Sequence, residues 1–226
     1  MNFFRQEELL RLMQLSSPML PVGAFAYSQG LEYAVDSGWV TDEDSVAEWI
    51  IGLLNHSHAN LDVPILARLY DGWKEDDKEA IRYWNDYLFA SRETSELQAE
   101  ERQLSQALCR LLSDLGIAEA ANWINYPRRT FLLPFSLGGS YWRIYLQDLA
   151  SGYLWAWSEN QVLAAIKSIP LGQTAGQKIL SKIVAEIPKI VHSSLLLKDE
   201  DIGFSPVGQG IASAQHETQY SRLFRS

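Results

Sequence analysis

The sequence predicts an all-α protein, with a single globular, bundle-like domain of about ten helices over residues 1–198 and an irregular C-terminal tail over 199–226. Apolar residues recur at helical spacing along almost the whole chain, and sustained two-residue alternation is nearly absent. With 226 residues, of which 47% are hydrophobic, the chain can bury one substantial core. Composition marks no boundary inside residues 1–198, so we expect one domain there.

The first two helices follow from apolar spacing. Residues 5–15 place Leu9, Leu12 and Met13 on one predicted core face. A second helix over residues 28–36 is expected to end at Gly38, because glycine readily adopts the left-handed conformation that terminates helices.

Aspartates mark the next three predicted helix starts. Thr41 or Asp42 is expected to cap the third helix, since a short polar side chain can accept a hydrogen bond from the first turn. Asp62 followed by Pro64 resembles the start of a fourth helix, and Asp76 is expected to open a fifth.

The longest regular pattern covers residues 94–115, where leucines recur at helical spacing. Residues 122–137 are less regular and contain prolines, so they are predicted to form a long connection. Residues 138–157 are predicted to form an aromatic-rich helix.

Two capping boxes are predicted near the C-terminal end of the domain. These are Ser158 with Gln161 and Thr174 with Gln177. At this spacing the side chain of each residue can accept a hydrogen bond from the backbone N–H of the other. Pro188 is expected to start or kink a further short helix, because proline cannot donate a hydrogen bond inside a helix.

Charge and composition exclude several classes of protein. The formal net charge of −9 disfavours nucleic-acid binding, because phosphates would repel the chain, and it suits docking of a basic partner. Cys109 is the only cysteine in the sequence, so no intrachain disulfide can form. No apolar run reaches the ~18 residues of a membrane span, and the N-terminus lacks the apolar core of a signal peptide. We therefore expect a cytoplasmic protein without a membrane segment.

Residues 16–32 are rich in helix breakers and yet unusually apolar. Pro18 and Pro21 disfavour helix at the preceding residues, and Gly23 permits a tight turn. Side chains such as Phe25 and Tyr27 indicate that the segment packs against the body of the protein. It is either a buried connection between helices or a rigid platform for a partner, with Tyr27 expected nearest that partner.

The C-terminal tail changes from glycine-rich to aromatic and basic. Tyr220, Leu223 and Phe224 are costly to leave in water, which suggests a segment that docks on another surface. A zinc-protease motif is excluded, because the second histidine that it requires four residues after His216 is replaced by Tyr220.

The remaining polar residues carry no enzyme signature. His56 and His58 point to different faces of a helix and are poorly placed to share a metal ion. Glu93, Glu96 and Glu100 are expected to form a solvated, ion-paired helix face. The sequence contains no phosphate-binding loop and no nucleophile elbow. We predict no catalytic residue, no cofactor and no metal ligand.

Four blocks of sequence resemble the UreF family of urease accessory proteins. They read LPVGAF and YSQGLE within residues 15–38, SRET at 91–94, PLGQ at 170–173, and IASAQHE with SRLFRS within 211–226. The blocks stand in the family's order across the chain. The stretch from 55 to 90 has no recognisable match.

The resemblance implies a noncatalytic helical protein that serves nickel insertion into urease. It implies as partners the accessory protein UreD, also called UreH, the nickel-binding GTPase UreG, whose turnover it would modulate, and through them the urease apoprotein. A homodimer is implied as well. Partner-binding residues are expected in the two unusual segments, namely Tyr27, Ser28, Gln29, His216, Glu217, Arg222, Leu223 and Phe224. Among these, Tyr27 and Arg222 have the side-chain chemistry of interface anchors.

One alternative of a different class remains at this stage. A small helical enzyme or ligand-binding domain could use an aromatic pocket lined by Trp84, Tyr141 or Trp155. A deep apolar cavity that contains a strongly perturbed acid would favour this alternative.

Overall fold

A computed structural model describes residues 3–226, and within this range the chain forms ten α-helices and no strand. The helices are α1 (Phe3–Leu15), α2 (Leu31–Asp36), α3 (Glu43–Leu53), α4 (Val63–Glu75), α5 (Lys78–Ala90), α6 (Ser95–Asp114), α7 (Leu132–Tyr141), α8 (Leu146–Ser168), α9 (Gln173–Ser194) and α10 (Val207–His216). The predicted all-α class is therefore confirmed. Within residues 3–226, no helix has both the length and the apolar character needed to cross a lipid bilayer.

The core lies where the longer helices pack against one another. Helix α8 packs against α9 and α1, while α4 packs against α5 and α7. Helix α7 is enclosed, because every residue from Leu132 to Gly139 is buried. The fit is tight at Gly139, where an added Cβ atom would overlap the side chain of Leu149 and force it to move.

The N-terminal predictions hold for element positions but not for every buried face. Asp42 caps α3 through a reciprocal pair of hydrogen bonds with Ser45, and Gly38 has the expected positive φ of 74°. Leu9 and Met13, predicted to be core residues of α1, are instead exposed. Leu12 packs against the core as predicted and Leu15 is buried, so only part of the predicted face was right.

Asp62 does not start a helix. The chain continues from α3 through a π-helical stretch, Leu54–Asp62, directly into α4. Pro64 lacks an N–H group and cannot serve the carbonyl of Asn60, four residues earlier. That carbonyl accepts a hydrogen bond of 2.9 Å from the N–H of Gly203 in the tail. A long-range contact therefore helps the helix to continue where the local sequence predicts a boundary.

The helices around α7 and α8 differ most from their predictions. The expected connection over residues 122–137 contains the first half of α7, and the expected helix over 138–157 is interrupted after Tyr141. Arg143 adopts a left-handed φ of 56° at this interruption. The capping box at Ser158 is absent, because this residue lies inside α8 and its hydroxyl donates to the carbonyl of Leu154.

Pro188 does not start a separate short helix, since α9 runs through it to Ser194. The proline lies on the exposed face of α9, as does Val184. Pro188 has no N–H group to donate to the carbonyl of Val184, four residues earlier. This carbonyl lies on the exposed face, where water can donate a hydrogen bond to it.

The tail differs from its predicted irregular form in two stretches. Its first turn, Asp199–Asp201, is a short 3₁₀ helix, and Val207–His216 forms α10. Glycines at 208 and 210 disfavour a helix locally. Packing of α10 against α2 supplies the stabilisation that the local sequence lacks.

Candidate partner interface

The two unusual segments of the sequence lie against each other. The Ser226 carbonyl oxygen accepts hydrogen bonds from the backbone N–H groups of Ser28 (2.7 Å) and Gln29 (3.0 Å), and from the Ser28 hydroxyl (2.5 Å). The Arg225 N–H donates to the carbonyl of Ala26 at 2.8 Å. Residues 16–32 and 199–226 thus form one element, which we call the clasp.

Helix α10 approaches the first segment of the clasp at Gly30. This glycine has a φ of 84°, and a Cβ atom added there would lie 2.8 Å from the backbone nitrogen of Ser213. On the opposite side, the Ser213 hydroxyl lies 2.8 Å from that of Thr94, the N-cap of α6. Glycine at position 30 is therefore a requirement of tertiary packing.

Two glutamates hold the tail in place. The buried His216 ring lies between them, with Nδ1 at 2.7 Å from Glu96 and Nε2 at 3.1 Å from Glu32. Glu32 also accepts the backbone N–H groups of Leu223 (2.6 Å) and Phe224 (2.9 Å). Arg222 donates to Glu96 at 2.7 Å. The two carboxylates thereby satisfy several donors that would otherwise lack partners.

Glu217 has a local structural role. Its carboxylate accepts hydrogen bonds from the backbone and hydroxyl of Ser95 (2.9 and 2.6 Å), at the start of α6. The Ser95 side chain is the largest cause that lowers the pKa of Glu217. A carboxylate in this position suits the positive end of the helix dipole.

Tyr27 does not lie where the sequence suggested. Its side chain is only 4% exposed, and its hydroxyl donates to Gln103 at 2.5 Å. Burial raises the pKa of this hydroxyl. In the isolated chain Tyr27 therefore stabilises the clasp from inside, and the expectation that it faces a partner has no direct support.

The other predicted interface residues divide into buried and exposed groups. Ser28, His216 and Phe224 are buried, and the Phe224 ring lies 5.7 Å from the ammonium of Lys167. Leu223 is 64% exposed. Gln29 joins two helices, because its amide donates to Glu100 and accepts from the indole of Trp157, each at 2.8 Å.

The outer face of the clasp exposes apolar side chains from both segments. Met19 is 86% exposed and Phe25 is 65% exposed in the first segment. Tyr220, Leu223 and Ile211 are exposed in the tail. Large apolar side chains concentrated on one element mark an interaction surface more often than isolated ones do.

A buried cluster of charged groups lies beneath the clasp. The Arg92 guanidinium pairs with Asp62 at 2.5 Å and with Glu101 at 2.7 Å. The Tyr153 hydroxyl donates to Asp62 at 2.9 Å, and the backbone N–H of Phe131 donates to Glu101 at 2.6 Å. The cluster joins the π-helical stretch Leu54–Asp62 to α6, to α8 and to the residue that precedes α7. Nothing in the sequence indicated that Asp62 and Arg92 would meet.

Glu100 contradicts its prediction as part of a solvated face. Its side chain is buried, and burial raises its pKa to about 7. Glu93 from the same predicted face is exposed, as expected. Burial likewise lowers the pKa of the neighbouring His58 to about 4, which keeps this imidazole neutral at physiological pH.

A partly open cavity of about 190 Å³ borders this cluster. It does not bring together the aromatic residues proposed for a pocket, because Trp84 is buried elsewhere, Tyr141 is exposed, and Trp155 lines a separate groove beside α1. It does contain the perturbed acid that the alternative hypothesis required, namely Glu100.

The histidines and the cysteine are arranged for packing. His56 stacks on Phe204 at 5.7 Å, and His58 lies 4.2 Å from the Trp157 ring. Cys109 is buried, which raises the pKa of its thiol to about 11. Residues 3–226 contain no group of three or more His, Cys, Asp or Glu side chains placed to hold a metal ion.

A family model and several relatives that match most of the chain carry the same name, UreF. The UreF family model matches residues 40–184. The chain is 50% identical to the urease accessory protein UreF of Alkalilimnicola ehrlichii, covering 96% of this chain and 95% of the relative. It is 47% identical to that of Teredinibacter turnerae (97% and 99% covered) and 45% identical to that of Pseudomonas entomophila (96% and 97% covered).

Proposed function

Because this chain belongs to the UreF family of urease accessory proteins, we propose that it is a noncatalytic component of the complex that inserts nickel into urease. Its partners in this proposal are UreD (UreH) and the GTPase UreG, whose turnover it modulates, and through them the urease apoprotein. It acts in the cytoplasm and as a homodimer within the complex.

The observation that carries this proposal is the composite surface of the clasp. The two segments are bonded through Ser28 and Ser226, which are 198 positions apart in sequence, and both expose apolar side chains on the outside. A surface of this kind suits docking of another protein. The net charge of −9 favours association with basic surfaces.

Co-purification with UreD and UreG tests the proposed docking surface. Phe25→Ser and Leu223→Ser remove exposed apolar side chains from the two segments and leave the buried contacts of the clasp intact. We expect each variant to fold normally and to recover less UreD or UreG than the wild type does. Tyr83→Ser on α5 is the matched control, because Tyr83 is equally exposed and lies outside the clasp.

Urease activation provides the functional readout. Urease apoprotein, nickel, UreD and UreG are combined with the wild-type chain or a clasp variant, and ureolytic activity is measured. The proposal predicts reduced activation by the clasp variants and normal activation by the Tyr83 control. Full activation in the absence of this chain would contradict its role in nickel insertion.

A further inference from the structure

The partly open cavity beneath residues 16–29 has a largely apolar wall. It lies between this segment and helices α6 and α8. The wall is formed largely by Leu15, Leu20, Val22, Leu97, Leu104 and Leu163. A volume of about 190 Å³ is large enough for a group of several methylenes.

One carboxylate on this wall has no cationic partner. Glu100 is 4% exposed and makes no ion pair within residues 3–226. Its two oxygens accept from neutral donors, the Gln29 amide at 2.8 Å and the Ser226 hydroxyl at 2.9 Å. A carboxylate can accept about four hydrogen bonds, so acceptor capacity remains.

The surroundings of the cavity carry an excess of negative charge. The guanidinium of Arg92 on the wall is already engaged by Asp62 and Glu101. Glu100 and Glu159 add further carboxylates to the same wall. Buried negative charge without compensation is unfavourable, and a bound cation would relieve it.

The cavity also contains groups that recognise an ammonium ion. The aromatic rings of Phe131, Tyr153 and Trp157 lie on its wall, and an aromatic face attracts a cation. Ser16, also on the wall, has a buried hydroxyl with no hydrogen-bond partner among the described residues. This hydroxyl offers a further acceptor to a group with three N–H donors.

We infer that this cavity binds a primary alkylammonium group, with the ammonium at Glu100 and the methylenes against the leucine wall. The group belongs either to a free amine or to a lysine side chain of another protein. A divalent metal ion fits less well, because it requires several charged or imidazole ligands and the described residues contain no such group.

Calorimetric titration of the intact chain with n-butylammonium tests the inference. At pH 8, above the Glu100 pKa of about 7, the wild type is expected to show saturable binding. Glu100→Gln preserves the size of the side chain and removes its charge, and should weaken binding by about tenfold or more. Glu48→Gln, at an exposed position on α3, is the matched control and should bind as the wild type does.

A second variant separates binding from folding. Leu163→Trp enlarges a partly exposed wall residue without touching the charged groups, and should also weaken binding in a protein with a normal far-UV circular dichroism spectrum. The inference would be overturned by no saturable binding to the wild type, by equal binding to Glu100→Gln, or by equal binding of n-butanol.

The source of the amine is decided by a capped lysine. Nα-acetyl-lysine N-methylamide presents the same ammonium on a peptide backbone that must remain outside the cavity. If it binds as tightly as n-butylammonium, the site admits a lysine of a partner protein. Binding of n-butylammonium together with exclusion of the capped lysine assigns the site to a free amine.

Discussion

The helical body and the clasp are stabilised by different interactions. In the body, leucine and isoleucine side chains of α3, α4, α6, α8 and α9 pack into one continuous core. In the clasp, the tail is held mainly by carboxylates: Glu32 and Glu96 bind His216 and the tail backbone, and Glu100 binds Ser226.

This difference separates global from local stability. Apolar burial is distributed over many side chains, so the body should unfold as one cooperative unit. The tail of the clasp depends on hydrogen bonds to three glutamates and to Ser28, with Phe224 as a buried apolar contact. Such an element can open with the loss of far fewer buried side chains than the body contains. We expect the clasp to be the part of the molecule that rearranges when a partner binds.

The largest expected effect is in the body. Leu108→Ala removes a fully buried side chain from α6 and should lower the free energy of unfolding by about 2–5 kcal/mol, as cavity-forming changes do. Urea denaturation measures this loss. Arg110→Ala, on the exposed side of the same helix, should change it little, and equal effects would contradict the assigned core.

A smaller and local effect is expected in the clasp. Glu32→Gln weakens contacts with His216, Leu223 and Phe224, each of which costs about 1–3 kcal/mol if left unsatisfied. Hydrogen exchange should accelerate at the amides of Leu223 and Phe224 while amides of the core keep their protection. Glu75→Gln, an exposed change on α4, is the control. Simultaneous loss of protection in the core would show that the clasp and the body are one unit.

The pH dependence of stability should reveal the buried groups between the two regions. The pKa of Glu100 rises from 4.5 to about 7 on folding, so its contribution to stability is lost as pH rises through this window. The pKa of His58 falls from 6.5 to about 4, so its contribution is lost as pH decreases. Between pH 4.5 and 6.5, a rise in pH therefore lowers the free energy of unfolding through Glu100 and raises it through His58.

Glu100→Gln should remove the part of the pH dependence of stability that is due to Glu100. Between pH 5 and pH 8 the wild type should lose about 2 kcal/mol in the free energy of unfolding as Glu100 ionises. The variant has no carboxyl group at this position and should not show this loss, so its stability relative to the wild type should rise by the same amount. Denaturation curves at pH 5, 6, 7 and 8 measure this gain, with Glu48→Gln as the control. Parallel profiles for the wild type and Glu100→Gln would show that Glu100 titrates normally.

The smallest effect on stability is expected at Arg222. Its ion pair with Glu96 is partly exposed, so Arg222→Ala should change the free energy of unfolding by less than about 1 kcal/mol. The same variant is expected to weaken assembly with UreD and UreG, as measured by pull-down. Normal assembly of the folded variant would remove Arg222 from the partner surface.

Tyr27 provides a contrasting test inside the clasp. Tyr27→Phe keeps the buried ring and removes the hydroxyl that donates to Gln103, so the stability loss should be about 1 kcal/mol. If Tyr27 acts by holding the clasp, assembly should decrease only as much as hydrogen exchange at residues 225–226 increases. Reduced assembly without faster exchange would indicate direct contact with a partner.

The sequence allowed a good prediction of the body and a partial one of the clasp. The positions of α3 and α6 follow from apolar period, and Asp42 caps α3 as predicted. Helix α5 was predicted to start at Asp76, but Asp77 is its N-cap because this carboxylate accepts the N–H groups of the first turn, while Asp76 ends α4. The errors fall where packing overrides a local signal. The N–H of Gly203 bonds to the Asn60 carbonyl, to which Pro64 cannot donate. Ser158 lies inside α8, where its hydroxyl donates to the carbonyl of Leu154.

The sequence by itself determined that this protein is helical, and its motifs pointed to the UreF family, because helical period and family blocks are properties of neighbouring residues. It also identified residues 16–32 and 199–226 as the unusual segments. Only the tertiary structure decided that these segments bind each other, that Tyr27 and His216 are buried, and that Glu100 lacks a cation. Those facts depend on contacts between residues about 70–200 positions apart, which no local pattern encodes.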